Sequence, residues 1–124
     1  MSGLIYLDHA ATTACDPGAV QAMLPWFSEA YGNPSTMYSI GAAAAKAVRH
    51  AREQIAQTLG TGPEEIFFTS GGTESDNWAL KGIAQSLGTK GHHLITTKIE
   101  HPAVLESCAF LEKNGYEITY LDVD

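Results

Sequence analysis

Basic residues are scarce in this chain: seven Lys and Arg stand against fourteen Asp and Glu in 124 residues, a formal charge of −7 with the histidines neutral. Binding to a nucleic-acid backbone or an anionic membrane surface asks for clustered cations, so neither is expected of this segment. Cysteine is nearly absent as well. Cys15 and Cys108 have no CxxC partner and are too few for a disulfide framework, which points to free thiols in a reducing compartment. No apolar run approaches the roughly 18 residues of a transmembrane helix. The opening MSGLIYLDHA carries neither the charged start nor the apolar stretch of a secretory signal, and a cytoplasmic location is the expectation. Metal-ligand spacing is missing too. His92 and His93 are adjacent, but no HExxH or carboxylate triad accompanies them, and no metal is expected.

What is present, 44% apolar residues with 12 glycines, describes a soluble globular chain of one domain at most. Residues 1–62 read as an extended lead-in followed by two helices. Asp16-Pro17 is a helix start, with Val20, Met23, Leu24 and Phe27 on one face and Pro25 set to kink or interrupt it. Ser39 is a candidate cap for a second helix whose stripe is Ile40, Ala44, Ala47, Val48, Ala51, Ile55 and Leu59, ended by Gly60. In residues 63–124 the period changes. The spacing predicts a strand over 66–69, a helix closed by Gly88, a strand over 93–97, a helix over 102–114 closed by Gly115, and a strand over 117–123. Such β-α-β-α-β alternation predicts an α/β fold with a parallel sheet. Three strands and four helices leave much apolar surface without a partner, so the chain reads as part of something larger.

Ligands of open parallel sheets bind beyond the carboxyl ends of the strands, where two features of this sequence fall. The loop Ser70-Gly71-Gly72-Thr73-Glu74-Ser75 joins a strand to a helix start, whose unpaired N–H groups and positive dipole end favour an anion such as phosphate. The alternative is that Thr73 caps the helix, with Asp76 completing a capping box, and that the glycines merely make the turn. Spacing alone leaves both open, since this is neither a Walker loop nor a GxGxxG fingerprint. His101, followed by Pro102, takes an N-cap position on the same rim. A helix start disfavours imidazolium, which suits a neutral ring that stacks on a flat cofactor or exchanges a proton; a plain capping histidine is the alternative.

Four motifs, in order, resemble the cysteine desulfurases of the class V aminotransferase group of pyridoxal-phosphate enzymes. They are Tyr6-Leu7-Asp8-His9-Ala10-Ala11-Thr12-Thr13, Tyr31-Gly32-Asn33-Pro34-Ser35, the run from Glu65 to Asn77 and Glu100-His101, and the likeness extends over all 124 residues, about the first third of a family member. The resemblance implies the partial parallel-sheet large domain of a fold-type I pyridoxal-phosphate enzyme, preceded by N-terminal helices. It implies that Gly72 and Thr73 hold the phosphate of pyridoxal 5′-phosphate, and that His101 stacks on its ring and moves protons around the bound amino acid. Asn33 and residues 10–12 are implied to lie near the entrance. The implied reaction converts L-cysteine to L-alanine and leaves sulfur on an enzyme cysteine as a persulfide. It would serve a sulfur acceptor or iron–sulfur scaffold protein, or tRNA thiolation, and the enzyme would be a homodimer.

The family's Schiff-base lysine and nucleophilic cysteine lie further along than any residue here. Lys46, Lys81, Lys90, Lys98 and Lys113 read as solvated surface charges, Cys108 as an inert thiol on an apolar helix face, and Cys15 as a loop thiol with nothing nearby to activate it. The 124 residues alone are therefore expected to be inactive. Two other readings remain at this point. One is a different class V enzyme, an aminotransferase or selenocysteine lyase; the other is a complete, non-enzymatic module that binds a phosphorylated ligand or a protein through its open sheet edge.

Overall fold

A computed structural model describes Gly3 and residues 5–124, which form two compact units divided between Phe67 and Phe68. In the first, Asp16 caps α1 (Pro17–Met23) by accepting from the N–H groups of Gly18 at 2.8 Å and Ala19 at 3.2 Å. Pro25, without an N–H to continue the ladder, ends that helix and starts the single turn α2 (Pro25–Ser28). The long helix α3 (Ser39–Leu59) closes on Gly60 in the left-handed conformation, φ 69°. Its start is one residue earlier than the sequence suggests: Tyr38, with extended backbone, holds the N-cap position, and Ser39 is already helical and makes no capping bond. The α3 stripe is only partly covered. Of its residues Ala44 is buried, whereas Leu59 is 68% exposed; Gly41 and Ala56, which lie outside the stripe, are buried as well.

The turn before α3 is built around Asn33, whose Oδ1 accepts from the Ser35 N–H at 2.8 Å and whose carbonyl accepts from the Thr36 N–H and hydroxyl. Gly41 sits directly beneath it. A Cβ there would lie 2.7 Å from the Asn33 carbonyl oxygen and 2.6 Å from that of Thr36, and both are backbone atoms that cannot step aside. In the intact polypeptide that carries this sequence, Gly41→Ala is expected to destabilise this unit by about 1–3 kcal/mol, the usual cost of overpacking, read as a lowered melting temperature. An unchanged melt would mean that the turn is not held against α3.

After a 3₁₀ turn (Pro63–Glu65), Ile66 has an extended backbone, but residues 66–69 form no strand, contrary to the sequence expectation. An apolar, β-branched and aromatic run favours an extended backbone, whereas strand pairing requires a neighbour's ladder, which composition does not supply. The Arg52 Nε–H instead donates to the Ile66 carbonyl at 2.9 Å. Among the described residues the sheet therefore has two strands rather than three.

The second unit runs α4 (Gly72–Leu87), β1 (His93–Thr97), α5 (Pro102–Lys113), β2 (Glu117–Leu121). The strands pair in parallel from His93↔Glu117 to Thr97↔Leu121, with α5 as the crossover, and β2 ends two residues sooner than the sequence suggests. The core is small: Ala84, Ala103, Cys108 and Leu111 are buried, with Ser107 satisfied by the Ala103 carbonyl at 2.7 Å. Among the described residues no helix is long and apolar enough to cross a membrane.

Two contacts orient α4. The Tyr116 hydroxyl, just before β2, donates to the Ala84 carbonyl at 2.7 Å, which puts the C-terminal half of α4 beside the starts of the strands. One α4 turn earlier, the Lys81 ammonium lies 4.6 Å from the centroid of the Phe110 ring on α5. Because α5 also finishes at the strand starts, both helices run the same way. Their N-termini therefore share the carboxyl-end side of the sheet.

Candidate functional site

The loop entering α4 is closed by its own side chains. The Glu74 carboxylate accepts from the Ser70 N–H and from the Ser70 hydroxyl, each at 2.7 Å. Thr69 and Ser75 share a hydroxyl–hydroxyl bond of 2.6 Å, and the hydroxyl that accepts in it is left to donate to the Gly71 carbonyl, which lies 3.1 Å from Thr69 Oγ1 and 3.3 Å from Ser75 Oγ. Gly71 is the N-cap residue, so Thr73 is the second residue of the helix and not its cap, and Glu74 makes the reach-back bond for which Asp76 had been the sequence candidate. The Thr73 hydroxyl is exposed and has no protein hydrogen-bond partner among the described residues. Open space lies beside Gly71 and Gly72, where an added Cβ would meet nothing within 4 Å. The first-turn N–H groups of Gly72, Thr73 and Glu74 have no intrahelical acceptor.

The two Ser70 bonds hold the Glu74 carboxyl below the usual carboxylate range, the backbone bond contributing more than the hydroxyl. A lowered folded value means that the clamp is fully present above the ordinary glutamate value and is lost as pH falls through the lowered one. An NMR titration of the Ser70 amide is therefore expected to show a midpoint below that of a free glutamate, and the transition is expected to vanish in Glu74→Gln. A midpoint at or above the free value would contradict the clamp.

His101 follows β1 and caps α5, its Nδ1 accepting from the Ala103 N–H at 3.1 Å. With Nδ1 accepting, the neutral ring carries its proton on Nε2, and the ring is exposed. Beside it, Glu100 accepts from the Thr97 hydroxyl at 3.0 Å. Gly72, Thr73 and His101 thus lie at the starts of α4 and α5, on one side of one unit. Asn33 and residues 10–12 belong to the other unit.

Cys108 is 1% exposed, and burial pushes its thiol up, with the charges of Glu100 and Glu112 adding to the effect. Cys15 is exposed. Of the lysines, Lys98 pairs with Asp122 at 2.7 Å. Lys81 is not the solvated charge that the sequence suggests: half-buried, it donates to Asn77 Oδ1 at 2.6 Å and covers the Phe110 ring. Asn77 in turn donates to the Thr73 carbonyl at 2.9 Å. Sequence reasoning did not single out this pair, although Thr73, Asn77 and Lys81 at i, i+4 and i+8 share one helix face. His93 bonds Thr119 at 2.7 Å, His92 packs on Tyr116, and no group of three metal-binding side chains occurs among the described residues.

The sequence matches the class-V aminotransferase family over residues 5–124. It is 52% identical to the cysteine desulfurase IscS of Clostridium botulinum (strain Kyoto / Type A2), covering 100% of this chain and 31% of that protein. It is 53% identical over 120 residues to the cysteine desulfurase IscS of Methanosarcina thermophila, covering 97% of this chain and 30% of that one. Among solved structures, a NifS-like protein superposes with a TM-score of 0.87 at 41% identity, over 94% of this chain and 32% of its own. The structure described as SspA in complex with cysteine gives 0.85 at 46% identity, over 94% and 33%. The chain thus spans about a third of the length of the curated relatives it matches.

Proposed function

Starting from the fact that the chain belongs to the class-V aminotransferase family, we propose that it is the N-terminal, phosphate-holding part of a pyridoxal-phosphate-dependent cysteine desulfurase. The observation that carries this is the α4 loop. Of the five polar side chains between Thr69 and Ser75, four are bonded within the loop and only that of Thr73 is left over, beside open space and first-turn N–H groups. That donor set suits a phosphate dianion, and the residues present fit the phosphate end of the cofactor. Relatives at 52–53% identity carry the desulfurase name, which favours this reaction over others of the family.

When bound, the cofactor supplies an electron sink for the carbon bearing the substrate amine. In this reading Gly72 and Thr73 anchor its phosphate through backbone N–H groups and the Thr73 hydroxyl. His101 presents a flat ring to stack against the cofactor and, with Nδ1 engaged by the Ala103 N–H, offers Nε2–H as a hydrogen-bond donor to the bound amino acid. L-cysteine is the substrate. Its sulfur passes to an enzyme thiol, giving L-alanine and a persulfide, and the lysine and thiol that this requires belong to polypeptide beyond these 124 residues. The intact enzyme would be a cytoplasmic homodimer that hands its sulfur to an acceptor or iron–sulfur scaffold protein.

The test is Thr73→Ala in the intact polypeptide that carries this sequence. Loss of one hydrogen bond to a charged ligand is expected to weaken pyridoxal-phosphate binding about tenfold, measured by absorbance titration. Unchanged binding at matched cofactor concentration would remove the phosphate assignment.

A further inference from the structure

We propose that Asn77 and Lys81 are positioning residues for the anion-binding turn of α4, acting as a relay from α5 to the peptide between Thr73 and Glu74. The inference rests on the phosphate reading above. An ammonium can only donate, so the 2.6 Å contact with Lys81 fixes the Asn77 amide with Oδ1 toward the lysine and Nδ2 toward the Thr73 carbonyl. That carbonyl already serves the helix ladder, and the Asn77 amide gives it a second donor. The Thr73 carbonyl and the Glu74 N–H are the two ends of one peptide group. Hydrogen bonds to the oxygen polarise the group and make its N–H a stronger donor, and that N–H is one of the first-turn groups facing the anion.

Lys81 supplies the other half of the device. It is half-buried and rests on the face of Phe110, so its charge is held against α5 and does not sweep through solvent. With the ammonium anchored there, Asn77 has one amide orientation and Thr73 one carbonyl direction. The start of α4 is thereby tied to the helix that begins at His101. An ordinary i,i+4 surface pair would show none of this directional sequence of donor, acceptor, donor and acceptor.

The experiment is a double-mutant cycle on pyridoxal-phosphate affinity in the intact polypeptide, repeated with inorganic phosphate as the probe and with melting temperature as the structural control. Asn77→Ala and Lys81→Met are each expected to weaken both ligands about fivefold, and the double variant no more than either single one, because Lys81 acts through Asn77. The methionine keeps the packing on Phe110, and Lys81→Arg should restore affinity to within about twofold. Additive losses would overturn the relay, as would a lowered melting temperature with unchanged affinity. Thr73→Ala separates the two failures. If it weakens binding while Asn77→Ala does not, the relay is wrong and the phosphate reading stands; if neither variant alters binding, the reading and the relay fall together.

Discussion

Thr73→Asp is expected to abolish cofactor retention while leaving the fold as stable as before or slightly more so. Thr73 is the second residue of α4, and its exposed side chain borders the open space next to Gly72. A carboxylate at a helix start is favourable by about 0.3–1 kcal/mol, so the substitution supports the helix. The same carboxylate becomes an internal tenant of the N–H groups that a phosphate would use, and it repels a dianion at contact distance. Two unit charges about 4 Å apart near a protein surface interact by about 4 kcal/mol, and a dianion feels more, so a loss of at least a hundredfold in affinity is expected. The opposite signs of the two effects make the result informative. A destabilising mutation would lower both the melting temperature and the affinity, whereas a site mutation lowers affinity alone. Retention of pyridoxal phosphate by Thr73→Asp at the level of the unsubstituted protein would place the phosphate elsewhere.

What the sequence disclosed and what it withheld divides along a physical line. Features fixed within a few residues were legible: the Asp16-Pro17 and His101-Pro102 starts, the Gly60 and Gly88 stops, and Gly115, whose φ of 90° follows α5. Each depends on backbone geometry and caps that neighbouring residues supply. Features that depend on a distant partner were not legible. Ile66–Thr69 has the composition of a strand, but a ladder requires a neighbour that four residues cannot specify. Lys81 looks like any helix lysine until α4 is laid on α5 and Phe110 comes beneath it. The capping of α4 failed for a third reason, competition. Thr73 and Asp76 satisfy the capping-box pattern, yet Glu74 reaches Ser70 first and Gly71 takes the cap position, which leaves Thr73 available to a ligand.

The 124-residue chain produced alone is expected to associate with itself rather than behave as a finished domain. Within each unit, large apolar side chains stand open to solvent. Much of the exposed area is apolar: Leu59 is 68% exposed, Phe67 and Ile95 63% each, and Ile83 58%. Among the described residues β1 and β2 pair only with each other, so each also offers one open edge to other strands. The expected result is light scattering that rises with concentration in the micromolar range, binding of a hydrophobic dye and a broad melt without a cooperative transition. Co-production with the polypeptide that the longer relatives carry beyond this segment should remove all three. A sharp, reversible melt of a monodisperse chain would instead favour a self-sufficient binding module, because it would show that this apolar surface needs no further polypeptide to cover it.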